Sequence, residues 1–228
     1  MTLFYAFTLA FAPGLFWLWH FYRKDKLDPE PKSLIAKTFI YGILIAVPVS
    51  LFEAPFSANK FVLFVVAAPV IEEYAKYFVV RRSAFRSPHF NEPMDGIVYA
   101  AAASLGFASI ETVSYLFLYS QRGMMIKVFV LRGLLSIPGH VLFSSTWGYA
   151  LGFAKGMEKK AGKKIIRSGL LLGMCLHGLF NFLLGIPLAA LGLLIAVPLM
   201  WRMTNQRIKK AIEASPFAKV IKKDVNGM

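Results

Sequence analysis

The sequence has few of the residues that characterise soluble and secreted proteins. Its single cysteine, Cys175, excludes a small scaffold held together by disulfides. Only 17% of its residues are charged, against about 25% in an average soluble domain. Hydrophobic residues instead make up 57% of the 228 positions, which excludes intrinsic disorder. The class that fits is an all-α membrane protein with several spans.

Seven apolar segments have the composition of membrane-spanning helices, which need roughly 20 mainly apolar residues. The seventh is short but uncharged, and the seven are Leu3–Tyr22, Leu34–Phe52, Phe61–Val80, Gly96–Tyr119, Gly133–Phe153, Ile165–Leu184 and Ile186–Trp201. We therefore predict a polytopic transmembrane helical bundle of about seven spans. Residues 1–201 form the membrane domain and residues 202–228 a basic cytoplasmic tail that can lie on the lipid surface. Gln121–Arg132, with basic residues among apolar ones, is predicted to be an interfacial helix leading into the fifth span.

Basic residues are distributed unevenly along the chain. Most of the 26 Lys and Arg residues fall in alternate connections or in the tail. Because such residues stay on the cytoplasmic side, the N-terminus is predicted outside and the C-terminus inside. The first segment is not expected to be a cleavable signal peptide, since its basic cluster follows the apolar stretch. The net charge of +14 is explained by attraction to anionic membrane lipid, so no nucleic-acid partner is expected.

Six ionisable residues lie inside the predicted spans, where a charge at mid-bilayer costs roughly 2.5–3.5 kcal/mol. Each could be a structural contact between helices. At 1.5 Å per residue, however, residues from four different spans are predicted at similar depths, roughly 10–16 Å below the outer ends. These four are Glu72, Glu111, His140 and His177, and the other two are Glu73 and Lys76. We therefore expect a shared, water-accessible pocket in the outer leaflet.

Two carboxylates and one ammonium occur within five positions. Glu72 and Lys76 are four residues apart and can pair on one helix face. Glu73 is displaced by about 100° around the helix, and a single lysine cannot neutralise both carboxylates. Two neighbouring carboxylates do not readily ionise together in a low-dielectric environment, which favours a proton-accepting base. Asn181 follows His177 by one turn, so both can form hydrogen bonds on one face.

This set of side chains suits hydrolysis of a carbonyl compound. A carboxylate could take a proton from water while His and Asn donors stabilise the oxyanion. Alternatively, Glu and His side chains could hold Zn²⁺. No H-E-x-x-H motif is present, so sequence spacing does not decide between metal-free and metal-assisted activation of water. Glu and His chains in helices also mark proton relays, so a proton-coupled transporter or channel is an alternative. A non-catalytic scaffold for membrane proteins is a third interpretation.

Ordered motifs resemble those of the PrsW intramembrane proteases, which belong to a superfamily with the CAAX-processing and bacteriocin-processing membrane proteases. The first motif is E-E-x-x-K at positions 72–76, followed by D-G-I-V-Y (95–99), G-F-A-S-I-E (106–111), P-G-H (138–140) and L-H-G-L-F-N (176–181). The resemblance covers nearly everything from Leu3 to Trp201. A lone E-E-x-x-K would be weak evidence, whereas ordered motifs on separate helices are specific.

The resemblance implies a bacterial cell-membrane endopeptidase whose protease domain is residues 1–201. Its substrate would be a single-span membrane protein such as an anti-sigma factor, cut near the extracytoplasmic face. The implied catalytic residues are Glu72, Glu73, Glu111, His140, His177 and Asn181. The implied ligands of a possible Zn²⁺ are Glu73, Glu111, His140 and His177. Glu111 stands where the CAAX branch commonly has histidine, so a protonated imidazole donor is missing there.

Other ionisable residues near span ends have simpler explanations. Glu53 is expected to be solvated at the outer end of the second span. Asp95 is expected to cap the N-terminus of the following helix. Lys76, which lies inside the third span, is expected to compensate the charge of its neighbours.

Overall fold

The structure is a computed structural model that describes residues 3–218, and every regular element in that range is helical. Its α-helices are α1 (Leu3–Tyr22), α2 (Lys32–Glu53), α3 (Ala68–Ser83), α4 (Pro93–Ser120), α5 (Met125–Leu131), α6 (Ile137–Ala154), α7 (Lys159–Gly185) and α8 (Leu193–Glu213). The predicted all-α fold is confirmed. Outside the described range lie Met1, Thr2 and the last part of the predicted tail, with Lys219, Lys222 and Lys223.

Two π-helical turns precede prolines in the bundle. The first turn, Val62–Ala67, ends where α3 begins, and Pro69 is the second residue of α3. The second turn, Arg132–Ser136, joins α5 to α6, and Pro138 is the second residue of α6. Proline has no N–H to donate and its ring clashes with the carbonyl four residues earlier, and a wider turn accommodates both effects. α5 and α6 therefore form one helical rod. The lead-in helix predicted over Gln121–Arg132 corresponds to α5, and its position at the membrane interface stays a prediction.

Five helical segments within residues 3–218 are long and apolar enough to cross a membrane. They are Phe4–Tyr22, Lys32–Phe56, Pro93–Ser120, Met125–Ala154 and Lys159–Gly185. The helix of α3 is not among them, because its middle turns carry three charged side chains, Glu72, Glu73 and Lys76. A multi-span helical bundle is thus confirmed, whereas the count of seven spans and the orientation of the termini stay predictions.

α8 continues through the position where the tail was predicted to begin. It runs from Leu193 to Glu213 and passes Trp201 without a break. The predicted boundary between residues 201 and 202 therefore falls inside a helix. The division into a membrane domain and a cytoplasmic tail stays a prediction.

α4 forms the centre of the bundle, and every residue from Met94 to Ser109 is buried. Its small residues allow neighbouring backbones to approach closely. A Cβ on Gly106 would overlap the carbonyl of Phe39 in α2, and one on Gly96 would overlap the carbonyl of Gly148 in α6. This packing holds α2, α4 and α6 in a fixed rotation and so fixes where their polar side chains point.

The start of α4 differs from the prediction for Asp95. The helix begins at Pro93, so Glu92 occupies the N-cap position and Asp95 is the third helical residue. Oδ2 of Asp95 reaches back and accepts hydrogen bonds from the N–H groups of Asn91, at 2.6 Å, and Glu92, at 2.8 Å. Asp95 therefore supports the helix start from within the first turn.

Candidate active site

Four helices contribute polar side chains to one cavity of about 720 Å³. α3 provides Glu72, α4 provides Glu111, α6 provides His140 and α7 provides His177, and all four line the cavity. The cavity also reaches residues at the C-terminal ends of α4 and α7, such as Tyr119, Leu184 and Gly185. These ends belong to the side of the bundle that the charge distribution predicts to face outside.

Lys76 lies at the centre of the charged cluster and is completely buried. Its Nζ donates to Oε2 of Glu72 at 3.0 Å and to Oε1 of Glu73 at 2.8 Å. The same Nζ lies 2.9 Å from Nδ1 of His140 and 4.5 Å from the ring centre of Phe107. The predicted pair with Glu72 is therefore present, but the lysine contacts both carboxylates rather than one.

Glu73 is completely buried and enclosed by hydrogen-bond donors. Its Oε1 accepts from Lys76 and lies 3.2 Å from Nδ1 of His177. Its Oε2 accepts from Oγ of Ser144 at 2.6 Å and from Nε1 of Trp147 at 2.9 Å. Both oxygens of Glu73 are thus engaged by the protein itself, so this carboxylate can position its neighbours but has little capacity left for a ligand.

Glu111 is held by a cation and in turn orients a histidine. Nη2 of Arg132 donates to Oε2 of Glu111 at 2.6 Å, and Nε of Arg132 donates to Oγ1 of Thr112 at 2.9 Å. Nε2 of His140 lies 3.2 Å from the same Glu111 oxygen. Because the ammonium of Lys76 can only donate, Nδ1 of His140 accepts and Nε2 carries the proton shared with Glu111.

The two histidines have similar surroundings. Their ring centres are 5.1 Å apart, and the ring of His177 stacks on Phe143 at 4.6 Å. Each ring has one nitrogen next to a carboxylate, Glu111 for His140 and Glu73 for His177. A carboxylate at one nitrogen fixes the tautomer and orientation of a histidine that binds a metal through its other nitrogen.

Glu72, His140 and His177 can each offer one ligand atom, and these three atoms lie within 4.8 Å of one another. Two imidazoles and one carboxylate are a donor set found in catalytic zinc sites, which keep a fourth position for water. The chemistry of these three residues therefore suits a metal ion. This set shares His140 and His177 with the predicted one and contains Glu72 in place of Glu73, whose two oxygens are engaged by the protein, and of Glu111, whose Oε2 is held by Arg132 and His140.

Two further residues line the cavity in ways that the sequence did not indicate. Nδ2 of Asn181 donates to the carbonyl of Phe64 at 2.8 Å, so the amide ties α7 to the π-helical turn before α3. Glu53 lies on the cavity wall with one carboxylate oxygen buried. The expectation that Glu53 is simply solvated is wrong, because the end of α2 forms part of this wall.

Sequence reasoning missed three residues of the cluster: Arg132, Ser144 and Trp147. Arg132 lies 21 positions after Glu111, across a turn, and no periodicity connects them. Ser144 and Trp147 follow His140 by four and seven positions, which places all three on one helix face. That spacing is the signal that could have identified the two donors to Glu73.

Comparisons with known proteins point to one family. A family model described as "PrsW family intramembrane metalloprotease" matches residues 30–203. Protease PrsW of Oceanobacillus iheyensis is 36% identical over 208 residues, which cover 89% of this chain and 94% of the relative. Protease PrsW of Clostridioides difficile is 31% identical over 92% of both chains. Protease PrsW of Bacillus subtilis is 32% identical over 76% of this chain and 79% of its own. No solved structure matches the chain.

Proposed function

We propose that this chain, which belongs to the PrsW family of intramembrane metalloproteases, cuts a single-span membrane protein near the extracytoplasmic face. The proposed reacting centre contains Glu72, His140 and His177. Family membership makes the chain a peptidase. Its apolar helices and bacterial relatives make it a multi-pass protein of the bacterial cell membrane.

One observation carries the proposal for the site. The ligand atoms of Glu72, His140 and His177, from three different helices, lie within 4.8 Å of one another on the wall of the cavity. Each of the three side chains is otherwise surrounded by protein, with exposed fractions of 5%, 4% and 2%. Burying ionisable groups inside a bilayer costs free energy, so their convergence from three helices supports a functional role rather than a packing role.

Glu72, His140 and His177 would hold the catalytic metal, for which we propose Zn²⁺. An ion held there would lower the pKa of a bound water and would polarise the scissile carbonyl. Glu73 and Glu111 are proposed to orient His177 and His140, respectively, through the contacts at 3.2 Å.

Glu111 is also the proposed acceptor of a proton from the attacking water. Its side chain lines the cavity and is 24% exposed. Oε2 is engaged by Arg132 and His140, whereas Oε1 accepts no hydrogen bond from any of residues 3–218. This free oxygen is the atom on the wall that can take up the proton. Asn181, which fixes the π-helical turn against α7, is a positioning residue in this scheme.

The substrate must reach the cavity as an extended segment. Helical carbonyls are hydrogen-bonded and shielded, so a spanning helix has to unwind before its peptide bond can be attacked. The cavity is large enough for several residues and has apolar walls that include Val47, Phe64 and Leu131. Family resemblance favours an anti-sigma factor as the single-span substrate.

The test is reconstitution into liposomes together with a single-span anti-sigma factor tagged at both ends. We expect one cut near the extracytoplasmic end of its span, located by mass spectrometry, and loss of this cut in Glu72→Gln. Glu213→Gln is the matched control, because Glu213 lies at the exposed end of α8. Cleavage by Glu72→Gln at the wild-type rate would overturn the site. Cleavage of another single-span protein but not of the anti-sigma factor would overturn the substrate alone.

A further inference from the structure

A second cluster of carboxylates lies at the end of the bundle where α2 and α4 begin, opposite the end that the cavity reaches. Its members come from the α1–α2 connection and from the start of α4. They are Asp25, Glu30, Glu92 and Asp95, whose exposed fractions lie between 0% and 4%. None of them takes part in the proposed reaction.

The cluster leaves four buried oxygens that accept no hydrogen bond from an N–H or hydroxyl group of the described residues. These atoms are Oδ1 of Asp25, Oε1 of Glu30, Oε2 of Glu92 and Oδ1 of Asp95. No positively charged group neutralises the remaining oxygens of these carboxylates. Oδ2 of Asp25 accepts a hydrogen bond from the N–H of Glu30 at 3.2 Å, and Oε2 of Glu30 accepts one from the hydroxyl of Tyr99. Within residues 3–218, no Lys, Arg or His nitrogen lies within 4.0 Å of any of the four carboxylates, as an ion pair would require.

The geometry of these carboxylates suits one small ion. Asp25, Glu92 and Asp95 can each offer one ligand oxygen, and the three oxygens lie within 4.8 Å of one another. Two Ca–O bonds of about 2.3–2.6 Å span the same separation, so a single ion can contact all three.

We propose that Asp25, Glu92 and Asp95, assisted by Glu30, bind one hard divalent cation, Mg²⁺ or Ca²⁺, at a site separate from the active site. An all-oxygen, all-carboxylate donor set selects such ions over Zn²⁺, for which the histidine-containing active site is better suited. The ion ties the connection after α1 to the first turn of α4. It thereby fixes the start of the helix that carries Glu111 in its second half.

The test is thermal unfolding of the purified full chain in detergent, first with EDTA and then with either Mg²⁺ or Ca²⁺ in excess. At about 100 times the dissociation constant, the midpoint should rise by about 5–10 °C in the wild type. The ion that gives the larger rise at equal concentration is the preferred one. Asp25→Asn and Asp95→Asn should lose the rise. Asp28→Asn should keep it, since Asp28 contacts the side chain of Asn91 outside the cluster.

Electron paramagnetic resonance with Mn²⁺ keeps the proposal open to refutation if a variant does not fold. We expect one tightly bound Mn²⁺ per wild-type chain that Mg²⁺ or Ca²⁺ displaces, and none in Glu30→Gln or Asp25→Asn. A wild type that shows neither bound Mn²⁺ nor a rise in midpoint would overturn the site and mean that protons neutralise the cluster. An undiminished rise in both Asp25→Asn and Asp95→Asn would overturn it as well.

Discussion

The ammonium of Lys76 lies 2.9 Å from Nδ1 of His140. The same ammonium lies 3.0 Å from Oε2 of Glu72, so it contacts two of the three side chains proposed to hold the metal. Since Nε2 of His140 faces Glu111, Nδ1 is the nitrogen left for a metal. In the proposed site, Lys76 and a zinc ion would therefore compete for Nδ1 of His140.

This competition predicts an unusual response of Lys76→Met to zinc. Without metal, the variant leaves buried carboxylates without their cation, so its free energy of unfolding should fall by about 3–5 kcal/mol. Added Zn²⁺ should restore more stability to the variant than to the wild type, measured by thermal unfolding with and without the ion. Lys127→Met, which removes another cation from the cavity wall, is the control and should respond like the wild type. Equal zinc responses in all three proteins would contradict the competition.

Substitutions of Glu72 and of Glu73 should have different effects on the cleavage rate and on stability. Glu72→Gln should lower the cleavage rate by about 100-fold or more, and it should cost less stability than Glu73→Gln because Lys76 keeps its contact with Glu73 at 2.8 Å. Glu73→Gln should lower both, because two donors, Ser144 and Trp147, are matched to a carboxylate oxygen at 2.6 and 2.9 Å. Cleavage assays and unfolding midpoints of the same preparations measure the two effects.

Removal of proton acceptance at Glu111 should reduce turnover while preserving metal content. Glu111→Gln keeps the shape of the side chain, and we expect a rate reduced by about 100-fold or more. Arg132→Met should also reduce the rate, since the arginine holds Glu111 at 2.6 Å. Arg122→Met is the matched control, because Arg122 is exposed on the ring of Tyr119. Equal rates for the two arginine variants would remove Arg132 from the scheme.

Metal removal tests the ligand set directly. Elemental analysis should find one zinc ion per purified chain, and a strong chelator should abolish cleavage until Zn²⁺ is returned. His177→Ala should lower the zinc content, whereas His89→Ala should not, because His89 is exposed in the α3–α4 connection. Full activity in preparations without metal would favour the carboxylate-only mechanism.

Close packing around α4 predicts a stability effect that is separate from catalysis. Gly106→Ala places a methyl group against the carbonyl of Phe39 and should lower the free energy of unfolding by about 1–3 kcal/mol. Gly156→Ala is the control, since nothing lies within 4 Å of the added carbon. Thermal unfolding of the two variants in the same detergent gives the comparison. If both variants unfolded at the same temperature, the α2–α4 contact would be looser than described.

The sequence predicted the helices well because long apolar runs and isolated charges within them are local signals. Leu3–Tyr22 was predicted to the residue, and the end of α7 came within one position. Shared depth also predicted that Glu72 and His140 would meet, since rise per residue is nearly constant along a helix.

The remaining features depend on how helices are rotated against one another, which hydropathy does not encode. Glu72 and Glu73 differ by only 100° around α3, yet one faces the cavity and the other faces Ser144 and Trp147. Arg132 meets Glu111 only because the chain reverses between α4 and α5. The π-helical turns are equally invisible to a pattern of apolar residues.

Those widened turns have a consequence for how the chain can vary in length. A π-helical turn contains one residue more than the α-helical turn it replaces. The turns over Val62–Ala67 and Arg132–Ser136 stand just ahead of α3 and α6, which carry Glu72 and His140. Loss of a single residue there would convert the π-helical turn into an ordinary α-helical turn. The positions of Glu72 and His140 relative to the rest of the site would not change. We expect one-residue gaps between homologous chains to gather at these two places, while the helical stretches after Pro69 and Pro138 keep a constant length.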